Sequence, residues 1–429
     1  MKKNHVGGKL SISIQHPSKD IIGSKSRKLQ GKKIALCITG SVAAAQSPKI
    51  ARELMRHGAE VFPVFSPMAQ KIIHPNLMEW ATGNQPILEM DGKIDFISLT
   101  GSEAKVDLVL IAPATANTIG KIASGINDTP VTAVTIAAFG SKTPVIIAPT
   151  MHKCLYDYPS TKENIKKLKE LGFEFVEPRI EEEKAKIAEV EDIVETVIRK
   201  LTPKTMEGLK LLVTAGPTYE YIDPIRVITN KSSGKMGIAI ANEALRRGAK
   251  VTLVYGPGLV KPPKNAKVIN VETSEEMADT VISELKNNTY DIMIAAGAVA
   301  DFKPEKPYNQ KLATDKTPEL VLKLKPTTKI ICEAKKTSPK TFVVGFKAEH
   351  NVSDEELINR AYERLKTANL DLIVANDVGR QNVGFRHDTN EVFIINKNKK
   401  TLKIPLAKKE EIAEKILDTV LEEFRTFKS

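Results

Sequence analysis

Between Lys231 and Gly237 the chain reads Lys-Ser-Ser-Gly-Lys-Met-Gly, and the residues that follow have helical apolar spacing. Lysines, hydroxyls and glycines at a helix start are suited to an anion. Glycine lets the backbone approach it, the first-turn N–H groups are free to donate, and the helix dipole favours negative charge. This is not a Walker A loop, because Met236 stands after Gly234-Lys235 where Ser or Thr is needed and the upstream glycine spacing is absent. Three further places have a similar character. They are the small-residue turn Thr39-Gly40-Ser41-Val42-Ala43-Ala44, Ser66, and Ala112-Pro113-Ala114-Thr115-Ala116-Asn117-Thr118, each placed after an apolar run. Taken singly, each reads equally well as an ordinary turn. There is no G-x-G-x-x-G, which disfavours a conventional dinucleotide site. His152, in Pro149-Thr150-Met151-His152, can donate to a carboxylate. His74, before Pro75, reads as the cap of a turn.

The elements around these residues set where they can act. Lys33–Thr39 is a short apolar run closed by a turn signal, a buried strand. A helix is expected from Pro48 to His57, with Ile50, Ala51, Leu54 and Met55 on one face, and strands at Ala59–Phe65, Val106–Ala112 and Pro144–Ala148. The charged stretch 178–208 reads as helical and then polar, and carries the domain boundary. A second unit repeats the layout: strand Lys210–Ala215, helix Lys235–Arg247, and strands Lys250–Tyr255, Asp291–Ala296, Thr341–Phe346 and Asp371–Ala375. Residues 303–318 read as a mobile Lys/Pro-rich strap, and 408–427 as an amphipathic helix. Strands alternating with helices imply two Rossmann-like, doubly wound α/β domains, with ligands beyond the carboxyl ends of the strands. The domains are expected at 31–200 and 208–429, after a basic extension at 1–30.

Bulk properties narrow the functions. A chain of 429 residues exceeds what one core usually serves. No run approaches the roughly 20 apolar residues of a membrane helix, and the N-terminus lacks the apolar core of a secretory signal. Cys37, Cys154 and Cys332 are few and scattered with no C-x-x-C spacing, against a disulfide framework or zinc site and for a reducing cytoplasm. The net charge is +12, and residues 1–30, with six lysines and one arginine against Asp20, hold half of it. That extension reads as solvated. What remains is mildly basic, as suits phosphorylated small substrates.

The first half resembles the homo-oligomeric flavin-containing cysteine decarboxylase family over about 31–195, through GSVAA (40–44), APATANTIGKIASGINDTP (112–130) and APTMHKCLY (148–156). The resemblance implies FMN, with Gly40, Ser41, Val42, Ser66 and Thr115 around its phosphate or ribityl chain and Asn117 and Thr118 along the flavin. His152 stands where many relatives have an asparagine that grips the substrate carboxylate. The family's catalytic histidine ahead of the APATAN strand falls, by alignment of GKIDFISL (92–99), on Phe96. Relatives' flap cysteine has no counterpart in 181–192. Cys154 lies near the substrate loop and reads as a buried packing residue or, alternatively, as a substitute donor.

The second half is similar to phosphopantothenate–cysteine ligases over about 208–425. The motifs are TAGPTYEYIDPIRVITNKSSGKMG (214–237), AGAVADFKP (296–304), VVGFKAE (343–349) and NLDLIVANDV (369–378), in that order. This implies activation of 4'-phosphopantothenate by CTP, then attack by the amine of cysteine. By position, Asn230 would contact the phosphopantothenate or acyl group. Gly216, Thr218, Gly297, Ala298 and Asp301 would hold CTP, with Phe346 against the cytosine. Lys311 would neutralise the triphosphate or the developing charge, Lys366 would join the CTP-binding set, and Mg2+ would be held mainly by the phosphates. Both motif sets on one chain match the bifunctional enzymes of coenzyme A biosynthesis, archaeal-like here, in which the ligase product is the decarboxylase substrate. A homo-oligomer follows, with a trimer-based decarboxylase core and ligase dimers. No nucleic acid or membrane partner is expected. Two alternatives are carried: a ligase whose first half only binds flavin or oligomerises, motivated by Phe96, and, more remotely, a basic nucleic-acid-binding protein.

Overall fold

The computed structural model describes residues 16–92, 94–101, 105–313 and 319–428. The chain divides into two compact units, Met1–Thr202 and Pro203–Ser429.

In chain order the first unit holds β1 (Lys33–Ile38), α1 (Ser47–Arg56), β2 (Glu60–Phe65), α2 (Pro75–Thr82), α3 (Asp95–Thr100) and β3 (Leu108–Ala114). Then come α4 (Ala116–Ala123), α5 (Pro130–Gly140), β4 (Val145–Pro149), β5 (Met151–His152), α6 (Lys153–Tyr156) and α7 (Pro159–Glu170). It closes with β6 (Glu174–Phe175), β7 (Arg179–Glu181), β8 (Lys184–Lys186) and α8 (Val190–Leu201). The main sheet is parallel, in the order β2-β1-β3-β4-β6. Apart from the charged first residues Lys33, Glu60 and Glu174, its strands are apolar because both faces are covered. Ile34, Leu36 and Ile38 enter one core with α1, α2 and α8, while Ala35 and Cys37 enter the other with α4 and α5. The strand order reverses between β1 and β3, so the crevice for a ligand opens at their carboxyl ends.

Two expectations are corrected here. Residues 16–30 are not a solvated extension. A short 3-10 helix, Pro17–Ile21, is capped by His16, Leu29 is fully buried, and Gly23 N and Leu29 N donate to Met55 O at 3.0 Å and His57 O at 2.8 Å. Apolar Ile21, Ile22 and Leu29 drive this packing despite the surrounding lysines. Residues 1–15 lie outside the described residues. The stretch 178–208 is helical only in α8. Before it, β7 and β8 form an antiparallel hairpin in which β8 also pairs with β5, bringing Lys184 opposite His152. Ala185 at the centre is fully buried, which the charged residues around it disguise.

The second unit runs β9 (Lys210–Ala215), β10 (Tyr219–Tyr221), β11 (Val227–Thr229), α9 (Lys235–Arg246), β12 (Lys250–Tyr255), β13 (Lys267–Asn270) and α10 (Ser274–Asn287). It continues with β14 (Ile292–Ala295), β15 (Phe302–Pro304), β16 (Leu324–Pro326), α11 (Ile330–Thr337), β17 (Phe342–Glu349) and α12 (Asp354–Thr367). β18 (Leu372–Asp377), β19 (Thr389–Asn396), β20 (Thr401–Lys408) and α13 (Lys409–Lys428) complete it. Eight strands lie in the order β13-β12-β9-β14-β17-β18-β19-β20. Pairing is parallel through β18 and antiparallel beyond it. Leu211 and Val213 pack under α9 and α13, whereas Leu212 and Met293 pack with α10 and α12. The switch point falls between β9 and β14. The strap expected at 303–318 begins in β15, and its described part is anchored: Tyr308 N donates to Ile222 O at 2.8 Å and Leu312 N to Asp223 at 3.2 Å. Residues 314–318 lie outside the described residues.

Candidate functional site

At the switch point of the first unit, the loops after β1 and β3 are stitched together. Thr39 Oγ1 donates to Pro113 O at 2.8 Å and accepts from Thr115 N at 3.1 Å. Gly40 is required by a close approach, since a Cβ there would lie 2.3 Å from Met68 Cγ. Ser41 caps the 3-10 turn Val42–Gln46, accepting from Ala43 N. Thr115 caps α4, accepting from Thr118 N and meeting Thr118 Oγ1 at 3.1 Å. Ser66 accepts from Ala69 N at the end of β2. Each capping oxygen is occupied as an acceptor, but a hydroxyl in that role still has its O–H to donate. Val42 and Asn117 are exposed beside these loops. The sequence-derived flavin set is thus gathered at the crevice between β1 and β3, with hydroxyls and a helix N-terminus fit for a phosphate.

The neighbouring candidates separate. His152 is exposed on β5 and caps α6 with its backbone alone. His74 does cap a turn: its Nδ1 accepts from Asn76 N at 3.2 Å. Phe96 packs against the core formed with α4 and α5, so nothing at that position exchanges a proton. Cys154 is exposed, contrary to its reading as a buried packing residue. In α6 it is Tyr156 that packs against the core.

The second unit holds a cavity of about 750 Å3 at the carboxyl ends of β9, β14 and β17. One wall is the entry to α9, Ser232–Gly237, whose first-turn N–H groups are free for an anion. Another is the 295–302 turn after β14. Asn230 spans this turn, its Nδ2 lying 3.1 Å from both Ala298 O and Val299 O. Gly297, Ala298, Asp301 and Phe346 line the cavity with Asn230, as their motifs suggest. Gly216 and Thr218 instead support the turn: Gly216 O accepts from Ala298 N at 2.8 Å, and Thr218 Oγ1 accepts from Ala300 N at 3.0 Å. Lys311 lies on the anchored strap and Lys366 pairs with Glu363, and neither is among the lining residues.

Sequence reasoning passed over several residues that are in the lining: Thr327, Lys329, Lys347, Arg364, Phe385 and Lys409. Thr327 Oγ1 donates to Ala300 O at 2.6 Å, and Lys329 pairs with Asp301. Arg364 sits two residues before Lys366, and among the described residues no carboxylate pairs with its guanidinium. The turn at Pro326-Thr327-Thr328-Lys329, just before α11, was the available signal; nothing marked Lys409. In the turn joining β10 to β11, burial would raise the Asp223 carboxyl. N–H groups of Ile225, Arg226 and Leu312 and the Arg226 guanidinium outweigh it and hold the group at about 2. Among the described residues no cluster of three or more His, Cys, Asp or Glu side chains could hold a metal, and no helix is long and apolar enough to cross a membrane.

Two family models match in tandem. One is described as Flavoprotein and covers residues 22–202; the other, the DNA/pantothenate metabolism flavoprotein C-terminal domain, covers 206–424. The class is therefore a two-part α/β flavoprotein, each part built on its own sheet, parallel in the first and mixed in the second. The chain is 52% identical over 406 residues to the coenzyme A biosynthesis bifunctional protein CoaBC of Thermococcus kodakarensis, spanning 94% of this chain and 98% of that one. The same-named protein of Methanocaldococcus jannaschii is 40% identical over 409 residues, with 95% and 98% covered. A crystal structure of the C-terminal domain of such a protein matches at 33% identity and TM-score 0.43, covering 52% of this chain and 99% of that chain. The chain belongs to the family of coenzyme A biosynthesis bifunctional proteins. It is an enzyme of coenzyme A biosynthesis with a decarboxylase half and a ligase half.

Proposed function

We propose that the cavity of the second unit binds CTP and 4'-phosphopantothenate and that the ligase reaction proceeds through an acyl-cytidylate. The observation that carries this is the pairing, in one cavity, of a helix N-terminus with the 295–302 turn that Asn230 spans. A carboxylate oxygen attacks the α-phosphorus and pyrophosphate leaves. The amine of cysteine then attacks the acyl carbon, loses a proton and expels CMP. The protein's task is to hold charge and orient groups. The α9 N-terminus and Arg364 face negative charge, Phe346 offers a surface to the base, and Asn230 orients the acyl group. Lys311, from the strap, contributes positive charge toward the phosphates, and Mg2+ is carried mainly by the triphosphate. Carboxyl-18O phosphopantothenate tests this: an acyl-cytidylate delivers 18O into CMP, whereas label in inorganic phosphate would contradict it.

The product passes to the first unit, whose crevice between β1 and β3 is suited to FMN. When bound, the flavin would supply the oxidation of the cysteinyl thiol that lets the adjacent carboxylate leave as CO2, and the re-reduction that follows. Ser41, Ser66 and Thr115 would hold the cofactor's phosphate or ribityl chain, Asn117 and Thr118 its ring side. His152, on the strand paired with the β7–β8 hairpin, would grip the substrate carboxylate. Val42, Phe139 and Leu155 are large exposed apolar side chains of this unit, which supports assembly into a homo-oligomer. Three free cysteines support a reducing cytoplasm. Purification with flavin absorbance, lost on changing Ser41 and Thr115 together, tests the cofactor.

A further inference from the structure

The segment Gly384–Asp388, between β18 and β19, forms part of the ligase cavity wall through Gly384 and Phe385, while Arg386, His387 and Asp388 are exposed on its outer side. Four consecutive carbonyls of this segment point at side-chain donors. Lys409 Nζ donates to Gly384 O at 2.9 Å and to His387 O at 2.7 Å, and lies 3.5 Å from Phe385 O. Ser233 Oγ donates to Phe385 O at 2.5 Å, and Lys235 Nζ donates to Arg386 O at 3.1 Å while pairing with Asp388 at 2.6 Å. Ser233 and Lys235 belong to the entry of α9, so the segment and the proposed anion site share their fastenings.

We propose that Lys409 is a positioning residue of the ligase site, whose buried ammonium holds the 384–387 segment as the cavity wall beside the N-terminus of α9. The residue is 5% exposed although it is charged. A buried ammonium is costly unless its protons are taken up, and here three carbonyls take them. Those same contacts remove it from acid–base chemistry, since a base needs a free lone pair and all three N–H bonds are engaged. Its backbone N–H also donates to Asp388 O at 2.9 Å, so α13 grips both ends of the segment. Burial and the Lys235 ammonium push Lys409 down to about 8, with Asp388 opposing. The site therefore keeps this cation at a cost, which an apolar residue of the same length would avoid. What such a residue could not do is fix the three carbonyls of Gly384, Phe385 and His387, which, released, could turn toward the cavity and repel a phosphate.

This inference rests on the proposed reading of the cavity as the CTP and phosphopantothenate site. Full-length K409M, K409Q and K409R are compared with wild type, with K415M on the exposed side of α13 as a control that stays unchanged. The expected result for K409M is a KM for CTP or phosphopantothenate raised about tenfold, with kcat within about threefold, and faster amide exchange confined to residues 382–390. K409R should recover most of the affinity. A lowered melting midpoint with both KM values within twofold of wild type would overturn the proposal, as would a collapse of kcat at unchanged KM. Should K409M not fold, K409Q is read by the same criteria, because its amide cannot serve three carbonyls. If wild type fails to ligate with CTP, the reading of the cavity falls, and exchange over 382–390 still decides whether Lys409 holds the segment.

Discussion

Gly237 lies in the first turn of α9, where the helix crosses β9. A Cβ at this position would stand 2.4 Å from Ala215 Cβ and 3.1 Å from both Ala215 Cα and Thr214 O. Ordinary carbon contacts are about 3.5–4.0 Å, so G237A demands a displacement of roughly 1 Å. Overpacking of this kind costs about 1–3 kcal/mol, and alanine returns at most about 1 kcal/mol of helix propensity. The expected net loss of stability is about 1 kcal/mol. Ligation should suffer more, because the displaced turn carries the N–H groups aimed into the cavity, and a 1 Å misplacement can cost about a hundredfold. Urea unfolding and steady-state ligase kinetics on the full chain measure both effects. The double variant A215G/G237A removes the closest contact and should recover part of each, with a favourable coupling of about 1 kcal/mol. G237A with kcat/KM within twofold of wild type and unchanged stability would refute the argument that this close approach sets the anion site.

Three further outcomes follow from the same geometry. R364A should raise the KM for CTP about tenfold or more, while K366A stays within about twofold, since Arg364 lines the cavity and Lys366 is paired with Glu363 on the outer face of α12; steady-state kinetics on each variant decides it. The Asp223 carboxyl is held at about 2, below its ordinary value of 3.8, so its contribution to stability is complete above pH 4 and is lost as pH falls toward 2. D223N should therefore flatten the acid limb of the unfolding profile in that window and free Leu312, raising protease sensitivity around the strap. H152A should stop CO2 release while ligase turnover remains within about twofold of wild type, as measured by separate assays of the two half-reactions.

The parallel strands were legible because strands covered on both faces must be largely apolar, as Lys33–Ile38 is apart from Lys33 and Lys210–Ala215 is apart from Lys210 and the buried Thr214. The α9 entry was legible because few other uses exist for lysine, hydroxyl and glycine at a helix start. The hairpin of β7 and β8 was hidden, since Glu181 to Lys186 carry charge on the solvent side and only Ala185 reports the buried face. The described part of the N-terminal stretch was misread because charge was counted while Leu29, Ile21 and Ile22 were not weighed as packing groups. Within the ligase cavity, residues inside the motifs were found and those brought from afar were not. Thr327, Arg364 and Lys409 arrive from the turn after β16, from α12 and from α13, and no local pattern links them to the β9 loop. Conversely, Gly216 and Thr218 belong to the motif yet act from beneath, because the turn they support, and not the β9 loop itself, forms the wall.

The most direct test of the account is a single incubation of the purified full chain with 4'-phosphopantothenate, cysteine, CTP, Mg2+ and FMN, read by mass spectrometry. The account predicts 4'-phosphopantetheine and CO2, with 4'-phosphopantothenoylcysteine as the transient between them. Accumulation of 4'-phosphopantothenoylcysteine alone would contradict the decarboxylase half, where Phe96 replaces the expected histidine. No conversion of 4'-phosphopantothenate would contradict the account as a whole.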